Sequence, residues 1–173
     1  MCSSDLLNED IDIELKLLVS GAHMSPNYGK TVDLINKDGF DILLKIETLI
    51  DSDSNTSRIK TASLLLQNSI DIINHYGPDL IIYAGDREDV IIGGLIGGYL
   101  EIPTIHFFGG DHVKDGHFDN PIRHATSKLS CVHMVSLEQH KTRLIKMGEN
   151  PKRIYNIGSI ALDKFCRDRK SVV

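Results

Sequence analysis

The sequence predicts an α/β domain built on a doubly wound parallel sheet. Three observations predict it. Short β-prone apolar runs alternate with helix-type runs along the chain. The strand runs are apolar throughout, with no polar face, as in a sheet covered on both sides. Each strand is followed by a segment long enough to cross over to a parallel neighbour, and such crossovers are right-handed.

Taken in order, Ile13 to Val19 is apolar and stops at Ser20-Gly21. Tyr28 to Lys37 suits a short helix closed by Asp38-Gly39, and Phe40 to Ile46 a second strand. Residues 51–57 form a polar loop. Ile59, Ala62, Leu66, Ile70 and Ile73 then recur every three to four residues. That is the stripe of an amphipathic helix of about four to five turns, which Gly77-Pro78 stops. Leu80 to Tyr83 is a strand, Asp89 to Leu100 a helix, Thr104 to Phe107 a strand and Ile122 to Leu129 a helix. Val132 to Val135 is a strand, Leu137 to Met147 a helix ending at Gly148, and Ile154 to Ile157 the last strand.

Composition narrows the function classes. The 173 residues suffice for one domain with a sizeable core, at 41% apolar and 25% charged content. A net charge of −5 supplies no basic field for nucleic acid or anionic lipid. No apolar run has the length of a membrane span, and no secretory signal is visible. Cys2, Cys131 and Cys166 show neither metal nor disulfide spacing, so a reducing, cytoplasmic setting is expected. Residues 1–6 and 168–173 resemble translated sequencing-adapter DNA and are expected to be non-native ends; the alternative is a native start and a polar tail.

The polar clusters all fall just after strands: Gly21-Ala22-His23, Gly85-Asp86-Arg87, Phe108 to Asp111, Ser136 to Glu138, and Gly158-Ser159. Open parallel sheets bind ligands at that edge. Asp86 either acts as a base or caps the helix that follows. Arg87 either grips an anion bidentately or makes a surface ion pair. Gly109-Gly110 either admits a ligand close to the backbone or is a plain turn. Asp111, Asp115 and Asp119 either divide acid and base roles or form a solvated loop. His112, His117 and His124 match no compact ligand spacing, so no metal is expected.

His106, inside an apolar strand, reads as a hydrogen-bonded core histidine, and Cys131 as a buried thiol. Asp119-Asn120-Pro121 starts a helix, which places Arg123 and His124 near an anion-favouring terminus. Gly93-Gly94 and Gly97-Gly98 lie inside a helix and read as close packing against the sheet, not as a dinucleotide fingerprint. No P-loop and no G-x-S-x-G elbow is present.

These residues resemble a family. Gly21-Ala22-His23-Met24-Ser25-Pro26-Asn27-Tyr28-Gly29 is similar to the TG-x-H-L-S-P-E-F-G segment of UDP-N-acetylglucosamine 2-epimerases. Gly85-Asp86-Arg87 resembles that family's GDR turn. Gly109-Gly110-Asp111 through Asp119-Asn120-Pro121-Ile122-Arg123-His124-Ala125 resembles its GGE loop and DD-x-IRHA helix. Met147-Gly148-Glu149, and Asn156 to Ser159 with Leu162-Asp163, resemble its MGE and VG-x-P-x-LD segments. The likeness covers nearly all of residues 7–165 and is nearest to the hydrolysing branch of sialic-acid-type pathways.

The resemblance implies a Rossmann-like N-terminal half of a two-domain GT-B-like enzyme, with its site between the domains. It implies a UDP-sugar substrate, no cofactor, no nucleic acid or membrane partner, and a homo-oligomer at full length. The implied reaction turns UDP-N-acetylglucosamine and water into N-acetylmannosamine and UDP. UDP leaves by anti elimination to 2-acetamidoglucal, which is then hydrated. Asp86 and Asp119 match catalytic carboxylates, and His23, Arg87 and Arg123 match cleft residues. Gly109, Gly110 and His124 join them as expected substrate contacts.

Phe108 stands where many members carry an acid, so the base role is expected on Asp111 or Asp86. The departure also leaves room for a diacetamido-trideoxyhexose nucleotide as substrate. A non-hydrolysing epimerase, a GT-B glycosyltransferase and a non-catalytic nucleotide-sugar binder are the competing readings of the chain. The family's first strand with its GTR-x-D-x-G loop, and its UDP-gripping second domain, find no counterpart here. The chain alone is therefore expected to be catalytically silent.

Overall fold

The computed structural model describes residues 3–52, 54–114 and 118–160. Asp115, His117, Leu162-Asp163, Cys166 and the end at 168–173 lie outside them. The chain forms two compact units, one holding Met1–Leu49 with Ser159–Val173 and the other Ile50–Gly158.

The first unit contains helix α1 (Ser3–Glu9), strand β1 (Leu17–Ser20), helix α2 (Val32–Lys37) and strand β2 (Ile42–Ile46). β1 and β2 pair in parallel, with Leu18 opposite Leu44. β1 starts at Leu17 and not at Ile13, because charged Glu14 and Lys16 interrupt the apolar run. The helix expected from Tyr28 starts only at Val32. Before it, Pro26–Tyr28 form a single 3-10 turn that Gly29 ends in the left-handed region, at φ +80°.

The second unit runs through helix α3 (Asn55–Tyr76), strand β3 (Ile81–Ala84), helix α4 (Glu88–Tyr99), strand β4 (Thr104–Phe107) and helix α5 (Asp119–Leu129). It continues through strand β5 (Val132–Val135), helix α6 (Glu138–Lys146) and strand β6 (Ile154–Asn156). Its four strands pair in parallel in the order β3-β4-β5-β6. The α/β alternation is as expected, but the described strands form two ladders instead of one continuous sheet. A ladder extends only where a neighbouring strand takes up the next row of backbone groups, and among the described residues β3 has β4 alone as its neighbour.

Two expectations fail on packing grounds. The apolar stripe of α3 is not its buried face: Ile59 is 71% exposed, and Ala62, Leu66, Ile70 and Ile73 are half-buried. The buried row is Ser57, Thr61, Leu65 and Ser69. Small hydroxyl side chains let α3 lie close against α4, and they satisfy their own polar groups, as Ser69 does by donating to the Leu65 carbonyl at 2.7 Å. Cys131 is exposed. It precedes β5, where its N–H donates to Thr104 Oγ1 at 3.1 Å and the inward alternation begins only with His133.

Three of the four α4 glycines are packing residues. A Cβ on Gly93 would stand 2.9 Å from the Tyr83 ring, and one on Gly94 3.3 Å from Leu129. On Gly97 it would stand 2.3 Å from Thr104 Cγ2, whereas on Gly98 it would meet nothing. Thr104 is 1% exposed and its hydroxyl holds Cys131, so it cannot turn aside freely. Gly97→Ala is expected to destabilise the chain by about 1–3 kcal/mol through overpacking. Gly98→Ala is expected to stabilise it by roughly 0.5–1 kcal/mol through helix propensity. Urea titration of the two variants reads both signs.

The far end of the sheet is fixed by a buried carboxylate. Glu149 accepts from Lys128 at 2.6 Å and faces His133 Nε2 at 3.3 Å. That links α5 and β5 to the turn after α6, beside the core of Val135, Leu144 and Ile154.

Candidate active site

The loops at the carboxyl ends of β3 and β4 meet the first turn of α5. Arg123, one turn into α5 and 6% exposed, ion-pairs with Asp86 in the turn after β3. Its Nη1 also lies 3.4 Å from Asp111 Oδ2, in the turn after β4. Asp86 is therefore not a helix cap; Arg87 occupies that position, with no side-chain cap bond. Arg58, from α3, donates to Glu88 Oε2 at 2.8 Å and reaches Asp119 Oδ1 at 3.4 Å. One arginine thus joins the start of α4 to the start of α5. Burial pushes the Glu88 carboxyl upward, but the Arg58 bonds outweigh it and hold Glu88 below the usual range.

His106 holds this rim from beneath. It is fully buried, its Nε2–H donates to the Gly85 carbonyl at 2.9 Å, and its Nδ1 accepts from Ser127 Oγ at 3.1 Å. The Ser127 hydroxyl also lies 3.0 Å from the Arg123 carbonyl, so its single proton is shared between two acceptors. Burial lowers the His106 pKa to about 4, against the opposing bond to Gly85. The ring is neutral at physiological pH, which fits one donated and one accepted bond. The hydrogen-bonded core histidine expected from the sequence is what the structure shows.

The turn after β4 is tightly built. Phe108 adopts φ +64°, a left-handed conformation that is strained for a bulky residue. Gly110, at φ +72°, has no room for a Cβ, which would stand 2.4 Å from the His140 carbonyl oxygen. Arg143 donates to the Gly110 carbonyl. Asn120 clamps the next stretch of chain, accepting from Val113 N–H at 3.0 Å and donating to Val113 O at 2.9 Å.

Among the expected site residues, Asp86 and Asp111 therefore share Arg123, Asp119 shares Arg58 with Glu88, and Gly109 and Gly110 lie in the turn that bears Asp111. Arg87 is adjacent to them and exposed. His124 follows Arg123 and stacks on His112, with ring centroids 5.8 Å apart; burial and the facing His112 lower its pKa. His23 belongs to the first unit, where it bonds Thr31 Oγ1 at 2.6 Å. Among the described residues no group of three or more His, Cys, Asp and Glu is arranged to hold a metal ion. Sequence reasoning misses Arg58, Asn120, His140 and Arg143. Of these, only Asn120 carries a local signal, as the middle of the Asp119-Asn120-Pro121 helix start.

Compared with known proteins, residues 5–173 match the family profile described as UDP-N-acetylglucosamine 2-epimerase. The chain belongs to this family. A Campylobacter jejuni relative named GDP/UDP-N,N'-diacetylbacillosamine 2-epimerase (hydrolyzing) is 37% identical over 155 residues, covering 90% of this chain and 40% of its own length. The Escherichia coli polysialic acid biosynthesis protein P7 is 32% identical over 158 residues, covering 91% of this chain and 40% of its own. The epimerase chain thus spans about two fifths of the length of these relatives. The crystal structure of the Neisseria meningitidis UDP-GlcNAc 2-epimerase bound to UDP-GlcNAc shares the fold, with a TM-score of 0.77 at 18% identity over 96% of this chain and 44% of that one. The epimerase fold here is α/β and Rossmann-like. Among the described residues, no helix is long and apolar enough to cross a membrane.

Proposed function

We propose that the chain supplies the N-terminal half of a hydrolysing UDP-N-acetylglucosamine 2-epimerase, converting UDP-N-acetylglucosamine and water into N-acetylmannosamine and UDP. The observation that carries this is the gathering of Asp86, Asp111 and Asp119 around Arg123 and Arg58 at one strand-end rim. Epimerisation at C2 needs a base on one face of the sugar and an acid on the other. Asp86 and Asp111 on Arg123, and Asp119 on Arg58, supply separate carboxylates for those two roles.

Asp86 is engaged directly by Arg123, whereas Asp111 is 41% exposed and lies 3.4 Å from the same guanidinium. As the more exposed of the two carboxylates, Asp111 takes the C2 proton. The C–H electrons form the C1–C2 double bond as the C1–O bond breaks toward UDP. Water then adds at C1, and Asp119, also 41% exposed, directs a proton to C2 from the other face. Arg123 Nε and Nη1 are buried donors without a hydrogen-bond partner, which suits a polar substrate group beside them.

A second reading, a UDP-diacetamido-trideoxyhexose substrate, is favoured by the name of the Campylobacter relative. The division of the strands into two ladders, with Leu80 42% and Ile82 41% exposed around β3, supports the reading that further chain completes the domain. Product analysis of the complete protein with both nucleotide sugars tests the function. Free sugar is expected; a UDP-linked epimer or a glycoside overturns the proposal. Asp86→Asn and Asp119→Asn are each expected to lower turnover at least ~10-fold. The 173-residue chain alone is expected to release no free sugar.

A further inference from the structure

We propose that His140 is a positioning residue that aims the Asp111 carboxylate, an inference that rests on the base role given to Asp111 above. His140 lies on α6, outside every motif that carries the family resemblance. Its ring is buried, and its Nε2 stands 3.2 Å from Asp111 Oδ1.

The contact is held by main chain as well as by side chains. Gly110 packs against the His140 carbonyl and Leu144 so closely that no Cβ fits, and Arg143, on the next turn of α6, donates to the Gly110 carbonyl. The turn bearing Asp111 is thus seated on α6, and the position of the ring relative to the carboxylate is fixed by close packing.

Protonation logic assigns the direction of the bond. An ionised carboxylate only accepts. Asp111 Oδ1 already accepts from the His112 N–H at 2.7 Å, and Oδ2 faces Arg123 Nη1. His140 must then carry its proton on Nε2 and donate it to Oδ1. That leaves Nδ1 as a bare acceptor, and Nδ1 is buried without a hydrogen-bond partner. The charged groups acting on His140 are Asp111 from the turn after β4, Arg123 from α5 and Arg143 on its own helix. Burial and the two arginines favour the neutral ring, and Asp111 opposes them. The bond holds Oδ1 and so fixes the plane of the carboxylate, with Oδ2 beside Arg123 Nη1.

Two measurements test this. In the 173-residue chain, the His140 ring is followed by nitrogen-15 NMR through a pH titration. The Nε2–H tautomer is expected at neutral pH, and Asp111→Asn is expected to lower the titration midpoint, since the carboxylate favours the protonated ring. An unchanged midpoint overturns the inference whether or not the protein turns over sugar. In the complete enzyme, His140→Leu is expected to lower kcat about 10-fold with KM little changed, as misaiming of a reacting group does. His140→Gln, which keeps an N–H donor, is expected to retain most of kcat. An unchanged kcat in His140→Leu overturns the inference. Absence of turnover in the unaltered enzyme overturns the proposed function instead, and the NMR arm still decides the pair.

Discussion

Arg123→Met is expected to destabilise the second unit by about 3 kcal/mol, the low end of the range for breaking a buried ion pair. The side chain is 7% exposed, while its partners Asp86 and Asp111 are 22% and 41% exposed, so water screens part of the interaction. Methionine keeps most of the buried aliphatic volume, which separates the charge effect from a cavity. What remains is a pair of carboxylates at the ends of β3 and β4 without the cation they share. The double variant Arg123→Met with Asp86→Asn is expected to recover a good part of the loss, because one of the two facing charges is gone. Urea midpoints of the single and double variants give the coupling. Additive losses would show that the two groups do not act as a pair.

The sequence discloses what short-range chemistry controls. Short runs such as Thr104 to Phe107 and Val132 to Val135 mark strands because each is only four residues long, rich in β-prone side chains and bounded by polar or turn residues. Gly85-Asp86-Arg87 and Gly109-Gly110-Asp111 stand out because glycine and carboxylate follow those runs directly. The pairing of those turns is less legible. Arg58 looks like any polar residue on the outer face of α3, yet it reaches Asp119, 61 positions along the chain.

His140 and Arg143 read equally as solvated positions of an amphipathic helix. Their role follows from α6 lying against Gly110, a contact set by the packing of β5 and β6 and invisible to periodicity. The buried row of α3 is hidden for a related reason. Hydropathy ranks Ile59 above Ser57, whereas close approach to glycine-rich α4 selects the smaller side chain. Cys131 reads as buried because it borders an apolar strand, whereas burial there begins two residues later.

Lowering the pH from 7 to 4 is expected to cost the second unit roughly 3 kcal/mol through His106 alone. In the folded chain burial holds the ring neutral down to about pH 4, while in the unfolded chain it titrates near its ordinary value of ~6.5. Between those limits the unfolded state binds a proton that the folded state does not. Stability therefore rises with pH across that window: the contribution is complete above the unfolded value and is lost as pH falls through the folded one. His124, His133 and His140 are depressed in the same direction, each with burial as the leading cause, so they add to the slope. A second proton on His106 would also need a new acceptor at Nδ1, where Ser127 now donates. Protonation thus strikes the bond network beneath Gly85 and Asp86, and the rim is expected to loosen before the far end of the sheet. His106→Gln removes the titration and can still offer an N–H to the Gly85 carbonyl. Urea unfolding at a series of pH values should show a flatter profile for this variant between about pH 6.5 and 4, and equal slopes would show that His106 is charged in the folded chain.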